Sequence, residues 1–477
     1  MSIDPCCVPP DASTSRREVL RTFGSGFGLL ALGAMGGLNE LALPGMQDAD
    51  PLAPKAPHFA AKAQRVIWLN MAGAPSHVDT FDWKPKLAED DGKAATAAGR
   101  GNSRWLGSPF KFAQHGQSGQ WISELFPNVA THADKLCILN GMTTDVPAHA
   151  QASLMLHTGS FQFVRPSVGA WTIYGLGTKN HNLPGFVSFS PPAGGGGSQL
   201  YGSAFLPAIY QGQRIGVSRG GGLVGGGGGA EAVPNIDNEH FSATGQREQL
   251  DFVQELNRER LKRTGSDAGT EGVIEAAELA FRMQTEVPEL LDIAKESAKT
   301  REAYGADGGD TANFGRQCLL ARRFAEKGVR FIQLTQGGWD HHRNLRADIT
   351  RSAGGVDKPI AALLADLDAR GMLKDTLVVW GGEFGRTPYA QGDDGRDHNH
   401  RGFTLWLAGG GVKGGLRHGA TDEYGAAAVE GKLTVQDLHA TILHLLGLDH
   451  TKLTHRYAGR DFRLTNVSGE VARAVIA

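Results

Sequence analysis

TLVVWGGEFGRTPYAQGDDGRDHNHRGFTLWLAGGGVKGG, residues 376–415, opens with an apolar run, Leu377–Trp380, that stops at Gly-Gly-Glu. Large apolar side chains with two β-branched residues among them have the composition and length of a buried parallel strand. Glu383 is thereby delivered at the C-terminal end of a strand, the edge where open α/β sheets place their ligands. A short Gly- and Asp-rich loop leads to Asp397-His398-Asn399-His400, and a second strand-like run, Phe403–Ala408, follows at once. Two imidazoles and two carboxylates are therefore expected on one edge of one sheet. Neutral imidazole and carboxylate are the usual ligands of divalent metals of the zinc, manganese or iron type. The same residues in a Gly-rich loop also serve as plain solvated turn formers, so other stretches must decide.

Upstream, Val329–Thr335 reads as a strand that ends in Gln336-Gly337-Gly338-Trp339-Asp340-His341-His342. Asp340 and His342, two residues apart just past a strand, can both reach one ion. An amphipathic helix, Phe314–Lys327, precedes this strand and is closed by Gly328, and a long helix over Val356–Arg370 follows it. The first strand, Arg65–Leu69, runs into a Gly/Pro-broken loop carrying His77, Asp79 and Asp82, which are ligand candidates or else turn formers and helix caps. Ile122–Lys135 has apolar residues at helical spacing and leads into strand Leu136–Leu139. After that strand come Thr144, Asp145 and His149, ahead of a helix ending at Thr158-Gly159. Hydroxyls at a helix N-terminus bind anions or present a nucleophile, and as often act only as caps. Strands alternating with helices predict an α/β fold with a central, mostly parallel sheet flanked by helices.

The 477 residues exceed an average domain, but α/β enzymes of this size commonly grow a single sheet with insertions. A 40% hydrophobic content supports a large core, and a formal net charge of −2 gives no reason to expect a nucleic-acid or anionic-membrane partner. The 66 glycines imply many tight loops. Cys137 and Cys318 sit in apolar contexts as inert core residues, and no thiolate metal spacing is present. No loop has the spacing that cradles a nucleotide.

At the N-terminus, SRREVLRTFGSGFGLLALGAMGG resembles a twin-arginine export signal, with Arg16-Arg17 ahead of a weakly apolar run too short and glycine-rich to be a stable membrane span. An amphipathic surface helix is the plainer reading. The expected organisation is a signal segment over 1–43, a linker over 44–63 and one α/β domain over 64–470. Gly-rich loops and a helical insertion occupy 190–310 of that domain, with helices over Gln246–Arg263 and Glu271–Tyr304. Export by the twin-arginine machinery would place the protein in the periplasm or outside the cell.

Taken together, SRRE, WLNMAGAPSHVDTFD, GMTT with His149, GGWDHH, LVVWGGEFGRTP, GRDHNH, LAGGGVKGG and TVQDLHATILHLLGL resemble the DUF1501 family of exported proteins, in order over nearly the whole mature chain. By that resemblance the chain is similar to the alkaline phosphatase and sulfatase superfamily. The resemblance implies an alkaline-phosphatase-like α/β fold with two divalent metals and a Ser, Thr or formylglycine nucleophile between them. Asp340 and His342 match the superfamily's Asp-and-His ligand pair after a central strand. Glu383 stands where it has an aspartate, and His398, or else His400, matches its late histidine. Asp79, or His77, is the candidate for the first-strand carboxylate. Departures are equally plain. The first strand ends in Asn70, Phe384 occupies the slot of a second-site histidine, and the nucleophile slot holds Asp145 with Thr144 one residue off. No Cys-x-Pro/Ala-x-Arg follows any cysteine, which excludes a standard formylglycine sulfatase.

These features imply an exported metal-dependent hydrolase of phosphate or sulfate esters, with one divalent cation (Zn, Mn or Ca) expected and a second argued against by Phe384. The substrate would be an anionic ester, carbohydrate-linked esters included. Arg386 is suited to a bidentate grip on the anion, His149 to acid–base work or metal ligation, and Thr144 to the place nearest a nucleophile. The other class is a non-catalytic exported binding protein that keeps the fold and one metal. An isomerase or mutase of phosphorylated sugars is a minor third.

Overall fold

Leu377–Trp380 lies within a six-residue strand, Thr376–Gly381, whose residues are all buried, and Phe403–Ala408 is likewise a fully buried strand. Both belong to a sheet at the centre of the computed structural model, which describes residues 50–95, 103–192, 194–216, 242–265 and 268–477. The expected signal segment, the start of the linker and the Gly-rich stretch 217–241 lie outside the described residues.

In chain order the sheet's strands are β1 (Arg65–Met71), β2 (Leu136–Thr143), β3 (Phe186–Phe189), β4 (Gln213–Ile215), β5 (Phe331–Gln336), β6 (Thr376–Gly381), β7 (Phe403–Ala408), β8 (Arg417–His418) and β9 (Leu433–Thr434). Their spatial order is β8-β2-β7-β6-β1-β5-β3-β4, with β9 also paired to β2. β1 runs parallel to β5 and β6, with Leu69 beside Leu334 and Trp380. β3 is parallel to β5 and β4, and β8 and β9 are parallel to β2. Only β7 is reversed among the described strands, antiparallel to both β2 and β6. A strand covered on both faces is apolar along its length, which explains RVIWLNM and TLVVWG.

The helices used below are α1 (His149–Thr158), α2 (Ala243–Thr264), α3 (Ala268–Leu291), α4 (Ala312–Glu326), α5 (Leu345–Ala369) and α6 (Val435–Leu445). One core, with Trp68, Trp339, Trp380 and Trp406 all buried, joins sheet and helices into a mixed α/β body. Among the described residues no helix is long and apolar enough to cross a membrane.

Three of the expected helices change. Ile122, Leu125, Phe126 and Val129 are buried as their spacing implies, yet Gln120–Ser123 is a strand paired with Phe112–His115, and only Val129–Lys135 is helical, as a 3-10 turn. Pro127 disfavours helical geometry at Phe126 and separates the two pieces. The expected helix Glu271–Tyr304 breaks after Leu291, where Asp292 and then Ser297 cap new starts. α5 begins at Leu345 instead of Val356, running through Gly354-Gly355.

The reversed strand places the site. β6 ends at the sheet's C-terminal edge and β7 must start from that same edge, so the chain between them stays there. It does so as a β-hairpin, Gly385–Gln391 paired with Gly395–Asn399, where a loop was expected. At Gly395 a Cβ would stand 1.8 Å from the His342 carbonyl oxygen, so this hairpin lies directly on the loop after β5.

Candidate metal centre

Four loops converge at this edge. The one after β1 contributes backbone only. Gly73 has φ +108°, and a Cβ there would lie 2.7 Å from the Asp340 backbone nitrogen, so glycine permits the β1 and β5 loops to touch. Its N–H donates to Glu383 Oε1 at 3.1 Å, and its carbonyl accepts from Arg386 Nη2. The β5 loop brings Asp340 and His342, the hairpin brings Arg386 and His398, and the β2 loop brings His149 as the first residue of α1.

His149, Asp340, His342 and His398 each offer a ligand atom within 4.8 Å of all the others. Asp340 Oδ1 is the hub: Nε2 of His342 lies 2.8 Å away, Nε2 of His149 3.1 Å and Nε2 of His398 3.5 Å. The two nitrogens of His342 and His398 are themselves 2.9 Å apart.

The opposite ring atoms decide what these nitrogens are. His149 Nδ1 bonds Glu383 Oε1 at 2.5 Å, His398 Nδ1 bonds the Pro147 carbonyl at 2.6 Å, and His342 Nδ1 bonds Gln391 Oε1. A carbonyl or an ionised carboxylate only accepts, so each Nδ1 carries a hydrogen. In the neutral rings three Nε2 lone pairs therefore point at one another and at a carboxylate oxygen. Arg386 Nη1 faces the His342 lone pair at 3.5 Å, and the remainder of the group repels itself unless a proton or a cation sits within it. Three imidazoles and one carboxylate match a divalent cation of the zinc or manganese type. The side chains of Asp340, His342 and His149 are 46%, 34% and 29% exposed, which leaves the group open to solvent on one side.

Electrostatics around the hub agree. Burial pulls the Asp340 carboxyl up, but His149, His398 and Arg386 together hold it well below the usual carboxylate range. Burial pushes the His149 ring down, and its bonds to Asp340 and Glu383 outweigh this, carrying it up to about 9. With its folded pKa above the ordinary value, protonated His149 stabilises the metal-free fold below about pH 6.5, a contribution lost as pH rises through about 9. A metal must displace that proton. Affinity is therefore expected to fall about tenfold per pH unit below 9, measured by chelator competition between pH 6 and 9. A flat profile would remove His149 from the ligand set.

Glu383, expected as a ligand, is 2% exposed and holds the His149 ring. A carboxylate behind a histidine fixes its tautomer and orientation. Glu383→Gln is expected to weaken metal binding about 10- to 100-fold with the fold retained, read by the same competition assay.

Arg386, expected to grip a substrate anion, is fully buried. It bonds the carbonyls of Gly73, Ala74, Trp339 and Arg396 and, at 2.6 Å, Asp340 Oδ1. Its donors are occupied in fastening loops, in fixing Asp340 and, from Nη1 at 3.5 Å, in facing His342 Nε2. Asp79 is not in the group either: both its oxygens are taken by Arg396, at 2.7 and 3.0 Å, and both side chains are fully buried. His77 is buried with Nε2 2.8 Å from the Gly425 carbonyl, away from the other rings. Thr144 has a buried Oγ1 without a partner among the described residues, while its backbone carbonyl holds His400 Nδ1. Of the two late histidines, His398 joins the group. Phe384 is buried with its ring 4.8 Å from that of His149 and 4.7 Å from that of His398, an apolar wall where a further ligand would stand. Gln391 is a partner that sequence reading missed; a hairpin pairing would have brought it to notice.

A family model described as "Protein of unknown function (DUF1501)" matches residues 63–476. No curated protein matches the sequence. Among solved structures, the lipoteichoic acid synthase LtaP from Listeria monocytogenes aligns at 10% identity and TM-score 0.36, over 87% of this chain and 78% of that one. The PsFucS1 sulfatase from Pseudoalteromonas sp. aligns at 12% identity and TM-score 0.34, over 81% and 68%. An alkaline phosphatase from the Antarctic bacterium TAB5 aligns at 12% and TM-score 0.32, over 82% and 99%. Similarities this distant say nothing about this chain's chemistry.

Proposed function

This chain belongs to the DUF1501 family, and from the donor group it carries we propose that it is an exported metal-dependent hydrolase of phosphate or sulfate esters. The observation that carries the reading is the convergence of three Nε2 lone pairs on Asp340, each fixed from behind by an acceptor. The nitrogen-rich set favours zinc or manganese over calcium. A divalent cation bound there polarises an ester oxygen and lowers the pKa of water. Arg386 keeps Asp340 ionised and in place, Glu383 keeps His149 aimed, and the exposed side of the group admits the ester. Phe384 leaves room for one cation only. With Arg386 buried and Thr144 outside the group, water is the attacking species in this reading, and the anion is gripped by groups other than Arg386. Residues 1–43 direct export to the periplasm or exterior by the twin-arginine machinery.

Phe384 and Asn70 also favour a second reading, an exported binding protein with one metal and no turnover. The test is metal content of protein purified without chelator, together with turnover of aryl phosphate and aryl sulfate esters in Zn, Mn or Ca. About one equivalent with steady turnover supports the hydrolase. A metal-replete protein inert on both ester classes leaves the binding reading.

A further inference from the structure

The outer side of α1 borders a second feature. A cavity of about 230 Å³ lies between the β2–α1 loop, the C-terminal end of α1, residues 159–166 and residues 460–466. Three arginines line it, Arg165, Arg460 and Arg463, with Phe163 and Phe462 between them and Asp145 as the one carboxylate. Arg165 lies 4.3 Å from the centre of the Phe462 ring and 5.2 Å from that of Phe163, and Arg460 lies 4.8 Å from Phe462. Among the described residues none of the three makes an ion pair. Arg460 and Arg463 bond only Asn466, and Arg165 makes only ring contacts. Elsewhere the chain neutralises a crowded arginine: Arg322 is met by Glu296, Glu326 and Asp366.

A guanidinium laid on an aromatic ring keeps its edge N–H donors free for a planar or tetrahedral anion. Arg165 and Arg460 so placed, with Arg463 beside them and no ion pair among the described residues, form a positive cavity, and its rim is aromatic. Phe163 is 64% exposed and Tyr457 45%, with Phe205 stacked 5.0 Å from Tyr457. Flat apolar rings beside anion-binding arginines suit a sugar ring, whose C–H faces pack on aromatics, when it bears a charged substituent.

We infer that this cavity is a subsite for a sulfate or phosphate group on an extended saccharide. The inference rests on the hydrolase reading and gives it a substrate class. α1 connects the two sites, with His149 at one end and Thr158, in the cavity lining, at the other. Ten residues of helix rise on the order of 15 Å, so one molecule occupying both sites is an oligosaccharide charged at more than one position.

The test uses titration calorimetry of the full chain with a sulfated hexasaccharide and its desulfated counterpart, on the wild type, Arg165→Gln/Arg463→Gln and Phe163→Ala. The sulfated sugar is expected to bind the wild type, at least tenfold more weakly to the double variant and severalfold more weakly to Phe163→Ala; the desulfated sugar is expected not to bind. Equal affinity across the three proteins, or equal binding of both sugars, would overturn the subsite. If the double variant folds poorly, Phe163→Ala decides alone, since its exposed ring supports no core. Failure of the metal reading looks different: no metal in any of the three proteins, with the sulfated sugar still discriminating between them.

Discussion

Asp340→Ala is expected to release the metal and to lower ester turnover by about three orders of magnitude or more, the scale set by several kcal/mol of transition-state stabilisation. The carboxylate is the one negative member of the candidate group, within 3.5 Å of all three Nε2 atoms. Its loss also strips Arg386 Nη2 of a partner at 2.6 Å, leaving a buried guanidinium facing the imidazoles and repelling any cation between them. Asp340→Asn preserves shape without charge and is expected to follow the alanine variant in metal content. Elemental analysis of both proteins with kcat/KM on an aryl ester gives the answer. Retention of a full equivalent in Asp340→Ala would sink the assignment of the centre.

The second large effect falls on stability. Asp79→Ala is expected to cost about 3–5 kcal/mol, the penalty of leaving one half of a buried pair, while the protein that remains folded keeps its metal. Asp79 also accepts from Ser76 Oγ at 2.5 Å, and Arg396 reaches the Thr387 carbonyl at 3.1 Å, so this pair ties the hairpin to the segment after β1. Replacing both partners by apolar residues of similar volume is expected to restore much of the loss. Urea unfolding of Asp79→Ala, with metal content measured alongside, separates the two roles. Metal loss at unchanged stability would make Asp79 a ligand.

That contrast shows how far local pattern carries. Asp340, His342 and His398 were legible because each follows or precedes an apolar run that could only be a strand, and strand ends fix where side chains converge. Asp79 carries the same local signature, a carboxylate just past a strand, yet its partner Arg396 is 317 residues away. Nothing near Asp79 in the chain announces a cation that neutralises it. Arg386 misleads for the same reason, since the carbonyls of Gly73, Ala74 and Trp339 that it bonds belong to other loops. Glu383 sits at the expected edge, but whether a carboxylate meets the metal or the histidine behind it depends on distances of about one side-chain length, which spacing does not encode. The hairpin was hidden by its glycines and aspartates, whose composition is that of a loop although their backbone groups pair. Ile122–Lys135 fails differently: burial followed the helical period while Pro127 denied the backbone a helix.

Because β7 alone runs backwards, His398 and the Pro147 carbonyl that holds its ring come together from positions 251 residues apart. Contacts of such sequence separation form late and slowly. A cation held by donors so far apart in the chain would differ from the zinc of a short finger, where the ligands are near neighbours and binding and folding are one event. A cation bound by this candidate group would enter a body that its own core already closes. A chelator should accordingly silence the molecule without unfolding it.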